Sequence, residues 1–383
     1  MVAAAVACSC HALPPAPAPA PPPLPQPTQI DDVVLSRAGS CARLDHGGAL
    51  CWGTWGGGLL KVAIPAAGLA DVAELRVGHD PGYEASQRYY DHLCARVGTA
   101  VQCWGNGQHR QLGPEAGTSA ASPIAVTGLP PAAQLALGEH HTCARSAAGD
   151  VWCWGDNQSG QTGTGGGQHT IVSPTKVAGL GPIAQIETAN LGTCALTTDH
   201  EVYCWGENLS GAAGAPNLER PVVWTPNRVA IASGSRQIAG GDATLCALKL
   251  DGTIACWGSL EAQLAASLSG VVPDIADATA IAVGYAHACA LRIDNSVWCW
   301  GRNDSGELGD GDTSDRTAPP RQVRLPGPAI AVVAASRNTC ARLADRRWYC
   351  WGENLSGQIA PRTASRVPTP ALLDLTQVDL VSQ

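Results

Sequence analysis

The sequence predicts an all-β protein, a seven-bladed β-propeller made of four-stranded repeats about fifty residues long. Three observations predict it. The triplet Cys-Trp-Gly recurs seven times, at Cys51, Cys103, Cys153, Cys204, Cys256, Cys299 and Cys350, in steps of 52, 50, 51, 52, 43 and 51 residues. Each triplet has an upstream cysteine followed by Ala: Cys41, Cys94, Cys143, Cys194, Cys246, Cys289 and Cys340. Between the two cysteines, apolar and polar residues alternate around turn residues, which is the pattern of a β-hairpin. Length alone, 383 residues, suggests two or three domains, but a fixed period argues for one closed array.

The elements follow in chain order. Residues 1–11, beginning "MVAAAVACSC", form a signal-like segment whose "AVAC" resembles the end of a bacterial lipoprotein signal, with Cys8 as the lipidated residue. It has no basic start and its apolar stretch is short, so a secreted protein with a truncated signal is the alternative. Residues 12–29 are a Pro/Ala-rich spacer, with nine prolines between 12 and 28 and no means of burying a core. Residues 30–383 are the propeller. Within each repeat an apolar residue stands eight positions before the first cysteine in six of seven cases (Val33, Leu135, Ile186, Ile238, Ile281, Val332), marking a first strand such as "IAQIETA". The hairpin supplies two more strands, and "SPTKV" and "APPRQV" read as the fourth.

The hairpin spacing makes a sharp claim. Six cysteine pairs are ten apart, which centres a three-residue loop, and its last position needs a residue tolerant of positive φ. That position holds Gly47, Gly149, Gly252, Asn295, His200 and Arg346. The pair Cys94/Cys103 is nine apart and needs a two-residue loop at Gly98-Thr99, where a leading Gly suits a type II′ turn. In every hairpin the two cysteines then face each other across the strands, within disulfide reach. Seven intra-hairpin disulfides are expected, each contributing roughly 2–3 kcal/mol. Buried reduced thiols are the alternative; zinc ligation wants closer spacing. The same alternation puts each triplet Trp on the face opposite its Cys, beside the invariably small Ala. With twelve Trp and no Phe in the chain, these indoles carry most of the aromatic core.

The stretches "HTCARSAAGDVWCWGDNQSGQTG" (141–163) and "HACALRIDNSVWCWGRNDSGELG" (287–309) resemble repeats of the regulator of chromosome condensation family. The resemblance covers about residues 30–383 and implies a seven-bladed propeller. Repeats 1 and 5 depart from it, reading "CWGTWGGGLL" and "CWGSLEAQLAA", so their turns are expected to be remodelled. Such propellers close by mixing strands from the two termini in one blade. Here "IDDVVLSRAG" (30–39) and "LTQVDLVSQ" (375–383) compete for one place. The family's founding member is an exchange factor for the GTPase Ran and binds chromatin. Net charge −8 and only three lysines argue against nucleic acid, and paired cysteines against nucleus or cytosol. A further precedent, bacterial propellers that inhibit secreted β-lactamases, fits an oxidising location.

No nucleophile elbow, zinc-protease helix, phosphate loop or dinucleotide fingerprint occurs. No catalytic residue, metal or cofactor is therefore assigned, and no segment reaches 18 consecutive apolar residues. His141 and His287, each two residues before a Cys, read as hydrogen-bonding residues at a strand edge. The expectation is a monomeric, non-enzymatic propeller at the cell surface or secreted, binding a protein or glycan through blade loops. A hydrolase or lyase at the propeller mouth is the alternative, and nucleotide exchange a further one. Between Gly78 and Cys94 stands the insertion "HDPGYEASQRYYDHL", where other repeats have about four residues. It carries Tyr83, Arg88, Tyr89 and Tyr90, the residue types that concentrate interface energy. Its His79, Asp80, Asp91 and His92 have ligand chemistry but no metal spacing, and a tolerated, inert insertion is the alternative. Trp224, in "PVVWTPNRV", is the second contact candidate.

Overall fold

The computed structural model of the chain describes residues 29–375, apart from 38, 46, 56–57, 66–68, 70, 79–91, 215–219, 243, 259–269, 315–317 and 360–363. Seven antiparallel sheets succeed one another along the chain. Blade 1 is β1 (Ile30–Leu35), β2 (Gly39–Leu44), β3 (Ala49–Trp55) and β4 (Gly58–Pro65). Blade 2 is β5 (Val72–Val77), β6 (His92–Val97), β7 (Ala100–Asn106) and β8 (Ser119–Ala125). Blade 3 is β9 (Ala132–Leu137), β10 (His141–Ser146), β11 (Val151–Asp156) and β12 (Thr170–Lys176). Blade 4 is β13 (Ile183–Ala189), β14 (Gly192–Thr197), β15 (Val202–Glu207) and β16 (Val222–Arg228). Blade 5 is β17 (Ser235–Gly240), β18 (Thr244–Lys249) and β19 (Ile254–Gly258), continued outward, among the described residues, only by a bridge from Ala255 to Val271. Blade 6 is β20 (Ala278–Val283), β21 (His287–Arg292), β22 (Val297–Gly301) and β23 (Ala318–Gln322). Blade 7 is β24 (Ala329–Ala335), β25 (Asn338–Leu343), β26 (Trp348–Glu353) and β27 (Arg366–Leu372).

The first strands touch one another in a closed cycle, β1 to β5, β9, β13, β17, β20, β24 and back to β1. They therefore line the central axis. The Cys–Cys hairpin is the middle of each blade, between the first strand and the fourth. Fourth strands are outermost, and those of blades 2, 3, 4, 6 and 7 carry interior prolines: Pro123, Pro174, Pro226, Pro319 with Pro320, and Pro368 with Pro370. A missing N–H on an exposed edge blocks strand-on-strand association.

All seven hairpins pair in the predicted register, Cys opposite Cys, and all seven disulfides are present with Cα atoms 4.0–4.1 Å apart. The six predicted loop positions all have positive φ, including His200 at +69° and Arg346 at +70°. Gly98 leads the two-residue turn at +59°, between paired Val97 and Ala100.

The ring closes differently from the expectation. Blade 1 is built wholly from N-terminal strands and blade 7 from β24–β27, so no sheet mixes the termini among the described residues. The copy "IDDVVL" supplies β1; residues 376–383 lie outside the described residues. Closure depends on side chains instead. Trp52 Nε1 and Ser40 Oγ of blade 1 both donate to the Gln358 carbonyl of blade 7, at 2.9 Å each. In return Gln358 Nε2 donates to the Arg37 carbonyl at 3.0 Å.

That pattern is general. The triplet Trp donates its indole N–H to the carbonyl eight residues after the preceding blade's triplet Cys. Trp154 reaches Gln111, Trp205 reaches Gln161, Trp257 reaches Ala212 and Trp351 reaches Glu307, at 2.7–3.0 Å. The five bonded indoles, Trp52, Trp154, Trp205, Trp257 and Trp351, are all buried, so each buries its ring and satisfies its polar tip at once. The loop that supplies the carbonyl must pass close. Gly163 sits at φ +68°, and a Cβ there would lie 2.6 Å from Trp205 Nε1. Trp104 and Trp300 would draw on repeats 1 and 5, the two divergent ones. Position 59 is already in β4, and position 264 lies outside the described residues; Trp300 Nε1 has no partner among those described.

Candidate binding face

Because first strands all run the same way, the connections between first and second strands gather on one face, with those between third and fourth strands. Hairpin turns and blade-to-blade links gather on the other. On the first, the loop face, the connection is two or three residues long in six blades, as the strand limits show. Between Val77 and His92 of blade 2 it is fourteen. The insertion thus interrupts one of seven equivalent short loops. Tyr83, Arg88, Tyr89 and Tyr90, with His79, Asp80 and Asp91, lie outside the described residues, and so does Cys8.

Among the described residues His92 joins no group of metal-ligating side chains; it is buried in β6, with its Nε2 2.9 Å from Thr142 Oγ1 of blade 3. His141 and His287 repeat the contact, to Thr193 at 2.8 Å and Thr339 at 2.8 Å in the next blade. Each Thr gives its own hydrogen to a loop carbonyl, Thr193 to Gln161 and Thr339 to Glu307. The His must then donate from Nε2, which fixes the neutral tautomer. Burial holds His141 down to about 3, with His140 adding to the effect, and His287 to about 4. These imidazoles fasten blades together and stay uncharged at neutral pH. Trp224 is half-buried on β16, its carbonyl accepting from Gly165 N–H at 3.1 Å. Its ring lies against Gly166, where a Cβ would approach within 3.0 Å. It is a floor under the glycine-rich loop of blade 3.

Two loop-face groupings escaped the sequence reading, because their members come from different blades. His109 and His140 meet across blades 2 and 3 as tilted rings with centroids 4.0 Å apart. Between blades 6 and 7, Arg302 and Arg337 lie 6.0 and 5.7 Å from the Tyr285 ring. Both pair with Asp304, and Arg337 also approaches Glu353 at 3.9 Å. Below them is Glu307, 1% exposed and pushed up to about 8 by burial. Other repeats place Gln111, Gln161 and Gln358 there. In all four the side-chain oxygen accepts the N–H two residues earlier, at 2.7–2.9 Å. A protonated Glu307 reproduces the amide.

A ring of seven such blades is a β-propeller, with one elongated connection among the seven between first and second strands. Several of its repeats are similar to the regulator of chromosome condensation (RCC1) repeat. Two RCC1 repeat profiles match, one over residues 132–161, 190–212 and 278–307, the other over 100–145, 148–196 and 294–342. The unmatched stretches include the divergent triplets of repeats 1 and 5. The ultraviolet-B receptor UVR8 of Arabidopsis thaliana is 27% identical over 286 residues, 70% of this chain. The probable E3 ubiquitin-protein ligase HERC6 of Homo sapiens is 35% identical over 138 residues, 35% of this chain. The chain spans 64% of the receptor's length and 13% of the ligase's. Among solved structures, that of Kap60 bound to yeast RCC1 (Prp20) contains a similar fold, with TM-score 0.69 and 20% identity, covering 85% of this chain and 83% of that one. Human WBSCR16 has TM-score 0.63 at 19% identity, over 81% of this chain and 85% of that one.

Proposed function

We propose that the protein is a non-enzymatic binding propeller working outside the cytoplasm, recognising a protein partner, or failing that a glycan, through its loop face. The observation that carries this reading is the fourteen-residue connection in blade 2 beside six connections of two or three. Loops on one face of a rigid ring are where propellers place recognition, and Tyr83, Arg88, Tyr89 and Tyr90 give this one anchoring chemistry. Seven disulfides support an oxidising compartment, with Cys8 as a lipid tether or the chain secreted and monomeric. Yeast RCC1 (Prp20), which has a similar fold, is likewise seen with a protein partner, Kap60. The buried histidines are committed to Thr residues of neighbouring blades, which favours binding over mouth-centred hydrolysis. Net charge −8 stands against nucleic acid and against the chromatin role.

The test is affinity capture from envelope and secreted fractions of the source cells, with the intact chain beside one whose residues 79–91 are shortened to three. His92 is retained because it holds blade 3. A partner kept by the intact chain and lost by the shortened one supports the reading. The same partner on both moves recognition away from the insertion, and turnover of a substrate by the intact chain would overturn the non-enzymatic reading.

A further inference from the structure

On the turn face, where blade 7 meets blade 1, three guanidinium groups converge on one carboxylate. Arg43 Nη1 reaches Asp31 Oδ2 at 3.1 Å, an ordinary ion-pair distance. Arg346 Nη2 and Arg342 Nη2 stand off Asp31 Oδ1 at 3.5 and 3.7 Å. Arg342 Nη1 donates instead to the Asp31 carbonyl at 3.1 Å. Neighbouring acids do not make up the deficit. Asp345 is taken by Arg347, and Asp32, next to Asp31 on β1, lies in the field of Arg76 of blade 2. Even with Asp45 of the blade 1 hairpin tip counted in full, the seam keeps an uncompensated positive charge in a chain of net charge −8. The arginines are reachable: their side chains are 26% (Arg43), 54% (Arg346) and 17% (Arg342) exposed.

We propose that this seam is a binding site for a phosphate-type oxyanion, bridged between Arg43 of blade 1 and Arg346 of blade 7. Guanidinium forks match pairs of phosphate oxygens, and two forks from different blades suit a doubly charged ion that one carboxylate only half replaces. Asp31 occupies the position such an oxygen would take and competes with it. Since the contributing blades come from opposite ends of the chain, a bound oxyanion clamps the ring where no strand is exchanged.

The experiment is thermal unfolding of the full chain in inorganic phosphate, up to about 20 mM at constant ionic strength in chloride, with a direct phosphate titration by calorimetry. The wild type should gain about 2–3 °C, saturably. Arg346→Gln, on an exposed hairpin tip, should fold normally and lose that gain. Asp31→Asn should bind phosphate several-fold more tightly. Equal gains in wild type and Arg346→Gln would mean a general salt effect and overturn the proposal, as would no saturable gain. Vesicles of phosphatidylglycerol against phosphatidylcholine separate the sources. Arg346-dependent retention on the first alone makes the ligand a lipid headgroup, and phosphate binding without retention makes it the free anion.

Discussion

The arc from blade 3 to blade 6 and the seam from blade 7 to blade 1 hold neighbouring blades together by different means. In the arc, a glutamine at a bulge in each first strand clamps the next first strand. Gln134 accepts from Ile186 N–H and donates to its carbonyl, Gln185 does the same to Ile238, and Gln237 to Ile281, all at 2.8–3.1 Å. Between blades 2 and 3 the task is divided, Glu74 accepting from Leu135 N–H and Arg76 donating to its carbonyl. Blades 6 and 7 have Ala280 and Ala331 at this position and cannot make the clamp. The seam keeps the loop-face bonds that the arc also makes, Trp52 and Ser40 to Gln358, adds Gln358 to the Arg37 carbonyl, and on the turn face joins Arg342 and Trp348 to the Asp31 and Ile30 carbonyls. A ring can thus be closed without strand exchange, provided polar side chains take over at its rims.

The largest expected effect distinguishes satisfied from unsatisfied indoles. Trp205→Phe takes one of two donors from the Gln161 carbonyl, leaving the Thr193 hydroxyl, and should cost about 2 kcal/mol; Trp300→Phe, whose indole N–H has no partner among the described residues, should cost about 1 kcal/mol less. Denaturant midpoints measure both, and equal losses would remove the indole link from the account.

Next comes the clamp itself. Gln185→Ala leaves the Ile238 N–H unpaired and should destabilise by about 2 kcal/mol. A loss near zero in urea unfolding would mean that the inner strands hold by packing alone.

The histidines give a pH dependence whose sign is fixed by their depressed folded values. His287 resists protonation down to about 4 when folded, whereas the unfolded chain takes its proton near 6.5. Stability is whole above that pH and falls as pH drops through it, by about 2 kcal/mol at pH 5. Glu307 acts in reverse: with a folded value of about 8, its contribution is full below its ordinary range and lost as pH rises through 8. A variant therefore isolates the histidine. Between pH 7.5 and 5, wild type should lose about 2 kcal/mol more than His287→Gln, whose amide can still donate to Thr339. Parallel pH profiles would contradict a neutral buried His287.

The last effect is a gain. Glu307→Gln should raise the melting midpoint at pH 8 and make far less difference near pH 4.5, where the folded carboxyl is already protonated. A less stable variant at pH 8 would show that the carboxyl is not acting as an amide.

Much of this was written locally in the chain. Cysteine spacing alone located seven disulfides, and the turn position alone located His200 and Arg346 at positive φ, because hairpin geometry is a short-range property. What joins blades was not legible. Trp52 and Gln358 are 306 residues apart, and the seam arginines meet Asp31 from both ends of the chain. The clamp glutamines gave no signal either, since a polar residue before an apolar one is ordinary in any strand. The same holds for the loop face, where Tyr285 gathers Arg302 and Arg337 only once two blades are side by side.

The central claim is that each blade is stapled by its own disulfide, and intact mass before and after reduction of the natively isolated protein tests it most directly. Peptide mapping after blocking free thiols would assign the pairs. The account predicts a gain of fourteen hydrogens from the hairpin cysteines, paired as Cys41–Cys51 through Cys340–Cys350. Free thiols at these positions, or bonds between blades, would contradict it.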